Sequence, residues 1–397
     1  MSKLSATCCA LILGAALAAG QVACGSSDAS TPSNVAGSAG APGGAGAAGA
    51  SAGAVNGGAG AANGGQASAG TAGASAGSGG SAGSAGNAAG AGGSAGMAGA
   101  APFGAITCNP TASAADGKHD LTSTTQDPAE WKLQNGAAAG KVTAKASFVS
   151  ANYTPGHFSY WVYTSANYVM GSPAVFLLFG DGNQFLNDFH TATVLDNLTA
   201  AHDLPPTVAL FVDPPSDGVN APTEGDRQKA YDPPTDKYTT LLFDEILPSV
   251  IFGKYTISRD PNAWAVVGYS ASGGQGWKVL WNRPNDIHKF IGISSSFGAA
   301  NVQPYLVDWV SVVNMAPSRP LRVSLLASTK DLVDQRGNWQ TINTNMANAL
   351  AAKGDQWRLI IAQATCTAYA TCGHYPPIDG EHDFPDALRW TFQGCKF

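Results

Sequence analysis

The chain is marked by short, unbroken apolar runs of strand length, separated by stretches whose apolar residues recur with helical spacing. Residues 174–179 read A-V-F-L-L-F and residues 207–212 read T-V-A-L-F-V, the pattern of strands covered on both faces. Between them Phe189, Val194, Leu195 and Leu198 share one helical face, predicting a helix over 186–202. Further buried strands are expected at 263–267, 290–294, 322–328 and 358–362. Helices are expected over 237–254, where Pro248 bends or ends the helix, over 338–352, after residue 270, and again from Pro385. Residues 141–153 and 157–163 alternate well enough to be antiparallel lead-in strands joined by Thr154-Pro155-Gly156. The polar, proline-rich stretch 214–236 is long for a connection and is a candidate binding loop. Alternating strand and helix over this length predicts an α/β fold with a mostly parallel sheet and helices on both faces.

That rhythm begins only after residue 103. Most of the 49 glycines precede Gly104, and residues 25–101 are almost wholly Gly, Ala and Ser, without an aromatic residue and with Asp28 as the single charge. Such a segment cannot bury enough surface to offset its ordering entropy, so residues 25–103 are expected to be a disordered tether spanning about 50 Å. Residues 1–24 carry Lys3, an Ala/Leu run over 10–19 and then Gln21-Val22-Ala23-Cys24. This reads as a signal peptide of lipoprotein type, with lipidation and membrane attachment at Cys24; Gln21 stands where an aliphatic residue is usual. The alternative is an ordinary cleaved signal.

Residues 104–397 then form one domain. A net charge of −6 without any Lys/Arg cluster argues against nucleic acid as a partner. In an exported domain, Cys108, Cys366, Cys372 and Cys395 allow three pairings. Cys366 with Cys372, near in sequence, and Cys108 with Cys395, tying the two ends together, are the expected ones.

The candidate chemistry centres on residues 264–277, W-A-V-V-G-Y-S-A-S-G-G-Q-G-W. An apolar strand breaks at Gly268-Tyr269-Ser270-Ala271-Ser272-Gly273-Gly274 into a helix, and small residues around a serine let the backbone turn sharply enough to present its hydroxyl. Ser270 is the expected nucleophile. Ser272, which occupies the fifth position of the usual G-x-S-x-G, is the alternative in a frame shifted by two. A serine hydroxyl needs a base, and the base an orienting carboxylate, in the chain order Ser, Asp or Glu, His. Asp331 follows the strand 322–328, with Asp334 as competitor. His374 in C-G-H is the expected base and His382 in G-E-H-D its rival. Oxyanion donors are expected from the N–H of Ala271 and from the loop after residue 179, at Asn183 or else Gly182. His374, Glu381, His382 and Asp383 are read as a base beside surface polar residues, with no metal and no cofactor expected.

These stretches together resemble the enterochelin esterase family of α/β-hydrolases, a group of esterases that includes feruloyl and acetyl xylan esterases and mycolyltransferases. The resemblance spans roughly 141–393 and rests on Ser159-Tyr160-Trp161-Val162-Tyr163, Phe179-Gly180-Asp181-Gly182, Leu195-Asp196-Asn197-Leu198, Ala230-Tyr231-Asp232 and Asp244-Glu245-Ile246-Leu247-Pro248. Trp281-Asn282-Arg283-Pro284 is similar to a W-x-R-P segment, and counting back from it puts Ser270 at the nucleophile position. Asp331-Leu332, Gly337-Asn338-Trp339 and 385–390 are similar to the acid loop and final helix. The family's G-G-H becomes Cys372-Gly373-His374 after an insertion containing Cys366. The resemblance implies a serine esterase, and with the leader read above an exported one, acting on a siderophore ester or on feruloyl or acetyl groups of a polysaccharide. A non-catalytic surface binding protein on the same scaffold, or an acyltransferase, are the rival expectations.

Overall fold

The computed structural model describes residues 106–110, 112–113, 116–122, 127–298, 307–334, 336–364, 372–374 and 381–397. The expected leader and tether lie outside the described residues, as does Cys366.

In chain order, β1 (Thr107–Cys108) and β2 (Gly117–Thr122) are followed by β3 (Lys141–Val142), β4 (Ala146–Val149), β5 (His157–Thr164) and β6 (Val175–Gly180). Then come α1 (Gly182–Asn187), α2 (Thr191–Ala200), β7 (Thr207–Ser216), α3 (Glu224–Tyr231), α4 (Lys237–Thr240) and α5 (Leu247–Val250), the last two joined by a π turn, Leu241–Ile246. The second half runs β8 (Trp264–Tyr269), α6 (Ala271–Asn282), β9 (Lys289–Ile293), α7 (Trp309–Met315), β10 (Arg322–Ser328), β11 (Val333–Asp334) and β12 (Gly337–Asn338). It closes with α8 (Trp339–Lys353), β13 (Gln356–Gln363), α9 (Phe384–Phe392) and β14 (Cys395–Lys396).

The main sheet has the order β2-β13-β10-β9-β8-β6-β7-β5-β3, with β4 also paired to β5. Pairs from β2 through β7 are parallel; β5 lies antiparallel to β7, and β3 and β4 antiparallel to β5. The unbroken apolar runs are its middle: every residue of β8, β9 and β10 is buried, and all of β6 but Gly180. Helix α6 packs on β8 and β9 with α3 and α4 against it, and α2 packs with α9. After β6 the chain steps outward to β7, then returns to place β8 on the other side of β6. That reversal makes β6/β8 a topological switch point, and in open α/β sheets the crevice at the carboxyl ends of such strands is where ligands bind.

Several elements differ from the sequence expectation. The helix expected over 186–202 is two helices, because the chain turns at His190 (φ 49°) and sends Phe189 into the core against Phe185 and Phe384, at centroid distances of 4.5 and 5.7 Å. The first lead-in strand breaks into β3 and β4. The helix expected over 237–254 ends at Val250 and passes through Pro248 rather than stopping there; the π turn just before it accommodates a residue with no N–H to give. The expected loop 214–236 is partly regular: β7 extends through Pro214 and Pro215, and α3 starts from a capping box of Thr223 and Asp226. Edge strand β2 was unmarked in the sequence because G-K-H-D-L-T carries no apolar alternation.

At the domain's ends, Cys108 and Cys395 face each other across the β1–β14 pair and are joined by a disulfide. Cys372 is disulfide-bonded as well.

Candidate active site

Ser270 sits between the last residue of β8 and the first of α6 with φ 57° and ψ −121°, a conformation that costs a non-glycine residue free energy. Surrounding hydrogen bonds hold it there: its N–H donates to Ile293 O at 2.9 Å, and its carbonyl accepts from Ser296 N at 3.0 Å and Gly273 N at 3.1 Å. Gly268 is needed one turn back. A Cβ there would run into the Ser272 carbonyl and Gly273 N, so no side chain fits where the helix folds over the strand.

His374, in a 3-10 turn Cys372–His374, places Nε2 3.0 Å from Ser270 Oγ and Nδ1 2.6 Å from Asp331 Oδ1. Asp331 lies just beyond β10, only 5% exposed, where Oδ1 also accepts from Leu332 N at 2.7 Å and Oδ2 from the Ser294 hydroxyl at 2.5 Å. Gly373 lets the two loops meet: its N–H donates to Lys330 O at 2.9 Å, and a Cβ there would overlap Lys330 and Ser328. The imidazole is walled by Tyr269, nearly parallel at 5.2 Å, and by the edge of Trp339 at 5.1 Å, while the Tyr269 hydroxyl donates to the His374 carbonyl. Serine, imidazole and carboxylate thus form one continuous hydrogen-bonded line.

The rival candidates go elsewhere. Ser272 is 1% exposed and its hydroxyl is turned back on the strand end, donating to Tyr269 O at 2.8 Å and accepting from Tyr269 N at 3.0 Å. Asp334 accepts from Trp339 Nε1 at 2.9 Å and from Arg336 at 3.0 Å, so it braces the tryptophan rather than the imidazole. His382 stacks on Trp131 at 5.0 Å. Among the described residues no group of three or more His, Cys, Asp or Glu is placed to hold a metal ion.

One expected donor must be corrected. The N–H of Asn183 is already taken, donating to Asp213 Oδ1 at 2.8 Å. Burial, and then the charge of Asp181, pushes the Asp213 carboxyl up to about 6, while the bond from the Asn183 N–H works in the opposite direction. Gly182, the neighbouring candidate, begins α1 directly after Asp181 and is buried against the backbone of Phe211 and Val212. Ala271 begins α6, where the helix dipole favours negative charge.

At the loop after β6, Asp181, Asn183, Gln184, Asp213, Thr223 and Arg227 line a cleft of about 250 Å³. Sequence reasoning missed Ser294, Tyr269, Trp339 and Arg227. Of these, Tyr269 and Ser294 carried a signal as polar residues at the carboxyl ends of β8 and β9, and Trp339 through the stretch similar to the acid loop; Arg227 carried none.

The fold is that of an α/β-hydrolase, with Ser270, His374 and Asp331 brought together at the strand ends. Among solved structures, the chain is similar to an enterochelin esterase from Shigella flexneri, with 15% identity over 68% of this chain and 62% of that one, TM-score 0.52. It is also similar to a CE1 ferulic acid esterase from the anaerobic fungus Anaeromyces mucronatus, with 14% identity over 69% of this chain and 99% of that one, TM-score 0.51. At these identities the likeness speaks for the fold. The chain spans 60–63% of the length of the Shigella flexneri esterase structures it matches. No protein-family model matches the chain, and a search of curated protein sequences finds no match.

Proposed function

We propose that this chain is a serine carboxylic-ester hydrolase. The observation that carries the reading is the unbroken line from Ser270 Oγ through His374 to Asp331, with a serine held at positive φ at the head of a buried helix. His374 Nε2 takes the proton as Ser270 Oγ attacks the ester carbonyl. Asp331 fixes the tautomer that leaves Nε2 free to accept, and stabilises the imidazolium that forms. The N–H groups of Ala271 and Gly182 receive the oxyanion. The imidazolium then protonates the leaving alcohol, and water, activated by the same imidazole, hydrolyses the acyl-enzyme and regenerates Ser270.

The substrate we propose is an ester outside the cytoplasm: a feruloyl or acetyl ester on a polysaccharide, or a siderophore ester. Export, with residues 1–24 as leader, 25–103 as tether and a lipid on Cys24, belongs to the same proposal. Hydrolysis of p-nitrophenyl acetate tests the reaction class. The expected result is turnover by the wild type and its loss in Ser270→Ala; a folded wild type without turnover would point to a non-catalytic binding protein instead.

A further inference from the structure

Arg227 ties together the two walls between which the reacting carbonyl would sit. It comes from α3, in the stretch that sequence alone read as a loop, and its guanidinium grips Asp181 in a two-pronged pair: Nε to Oδ1 at 3.0 Å and Nη2 to Oδ2 at 2.7 Å. The same Nη2 reaches the carbonyl of Tyr269, the residue directly before Ser270, at 3.4 Å. Its neighbour Tyr231, whose ring lies 5.6 Å from the guanidinium, accepts the N–H of Asp181 at 3.1 Å.

Asp181 is unusual in three ways. It is 6% exposed, it has a left-handed backbone with φ 50° and ψ 50°, and, although it precedes a helix, its side chain makes no capping hydrogen bond. An aspartate in that place ordinarily turns its carboxylate onto the helix's first N–H groups. Here Arg227 draws the carboxylate away. The buried carboxylate of Asp213 lies close enough to feel the charge of Asp181. The planar guanidinium, bonded to both oxygens of Asp181, fixes the direction of that carboxylate as a point charge would not.

We propose that Arg227 is a positioning residue: through Asp181 and Tyr269 it sets the loop after β6 against the Ser270 turn, so that the Gly182 and Ala271 N–H groups converge on one oxygen. The inference rests on the serine-esterase reading for its catalytic consequence, but the clamp itself does not. Arg227 touches no reacting atom, so its loss is expected in kcat rather than in KM.

The test compares the wild type, Arg227→Lys, Arg227→Ala and the double variant Asp181→Asn with Arg227→Ala. The single alanine variant leaves a buried carboxylate without its partner and is expected to be destabilised; the double variant removes that charge and should regain much of the lost Tm. Positioning predicts that the double variant, though stable again, hydrolyses p-nitrophenyl acetate with kcat lower by about 10²-fold and KM little changed, and that lysine rescues only in part. Hydrogen exchange should speed up in peptides spanning 180–184 and 269–274. Recovery of kcat together with Tm would show a merely structural pair, and a rise in KM at constant kcat would show a substrate-binding arginine. Either result overturns the proposal, as does unchanged exchange at both walls. A wild type that is neither active nor labelled by a fluorophosphonate would defeat the esterase reading, while hydrogen exchange would still decide the clamp.

Discussion

Two serines stand two positions apart, and their hydroxyls have opposite fates. Ser270 is thrown out of the turn toward His374 Nε2, whereas Ser272 folds back on both polar groups of the Tyr269 backbone. A glycine in that fifth position would leave the strand end without those partners, and Gly180, whose Cβ would come 2.8 Å from that of Ser272, makes the room for the serine. Ser272→Ala is therefore expected to cost about 1–2 kcal/mol in chemical denaturation and to keep most of kcat. Asp331→Asn should instead leave the fold intact and lower kcat on the order of 10⁴-fold, because the amide disturbs the tautomer of His374. Steady-state kinetics beside a denaturation curve reads both. The choice between the serines was legible from the sequence only through the position of Gly268 and the spacing to Trp281. The Asn183 N–H could not be read at all, since its partner Asp213 comes from another strand 30 residues on.

Among the elements, the buried strands were legible because two-sided burial leaves an unbroken apolar run, and β10 covers the very residues its pattern marked out, 322–328. Helix breaks were not, because the cause of the turn at His190 is a set of ring contacts with α9, almost two hundred residues later in the chain. The order Ser270, Asp331, His374 could be read along the chain; which histidine reaches the serine could not, since His374 and His382 both precede α9. The turn leading into that helix carries Glu381, 2% exposed, with no hydrogen-bond partner for Oε2 among the described residues. Burial, and next the charges of Asp188 and Asp127, push this carboxyl up to about 8. A carboxyl whose folded pKa is raised binds more protons in the folded than in the unfolded state, so its effect lowers stability as pH rises from the unfolded value near 4.5 to about 8 and levels off beyond. Glu381→Gln should flatten the fall of Tm across that window and raise Tm at pH 9 by at least about 2 °C, as followed by circular dichroism.

For the molecule as a whole, the Cys108–Cys395 disulfide closes a loop of 287 residues. The chain-entropy account puts roughly 6 kcal/mol on a loop of that length, by restricting the unfolded chain. The site lies at the carboxyl ends of β8 and β10 and not at this latch. Replacing both cysteines by serine should lower Tm by at least about 5 °C while leaving kcat at 25 °C within about twofold. The proposed tethering of such a domain to a surface would suit a substrate too large to be brought to a soluble enzyme. Its chemistry stands or falls on Ser270. The most direct measurement is labelling of the folded protein with a fluorophosphonate, followed by mass spectrometry of the peptides that cover residues 264–283. One adduct per chain, on Ser270 and abolished in His374→Ala but not in His382→Ala, is the predicted result. An adduct on Ser272, or a folded chain that takes up no label, would contradict it.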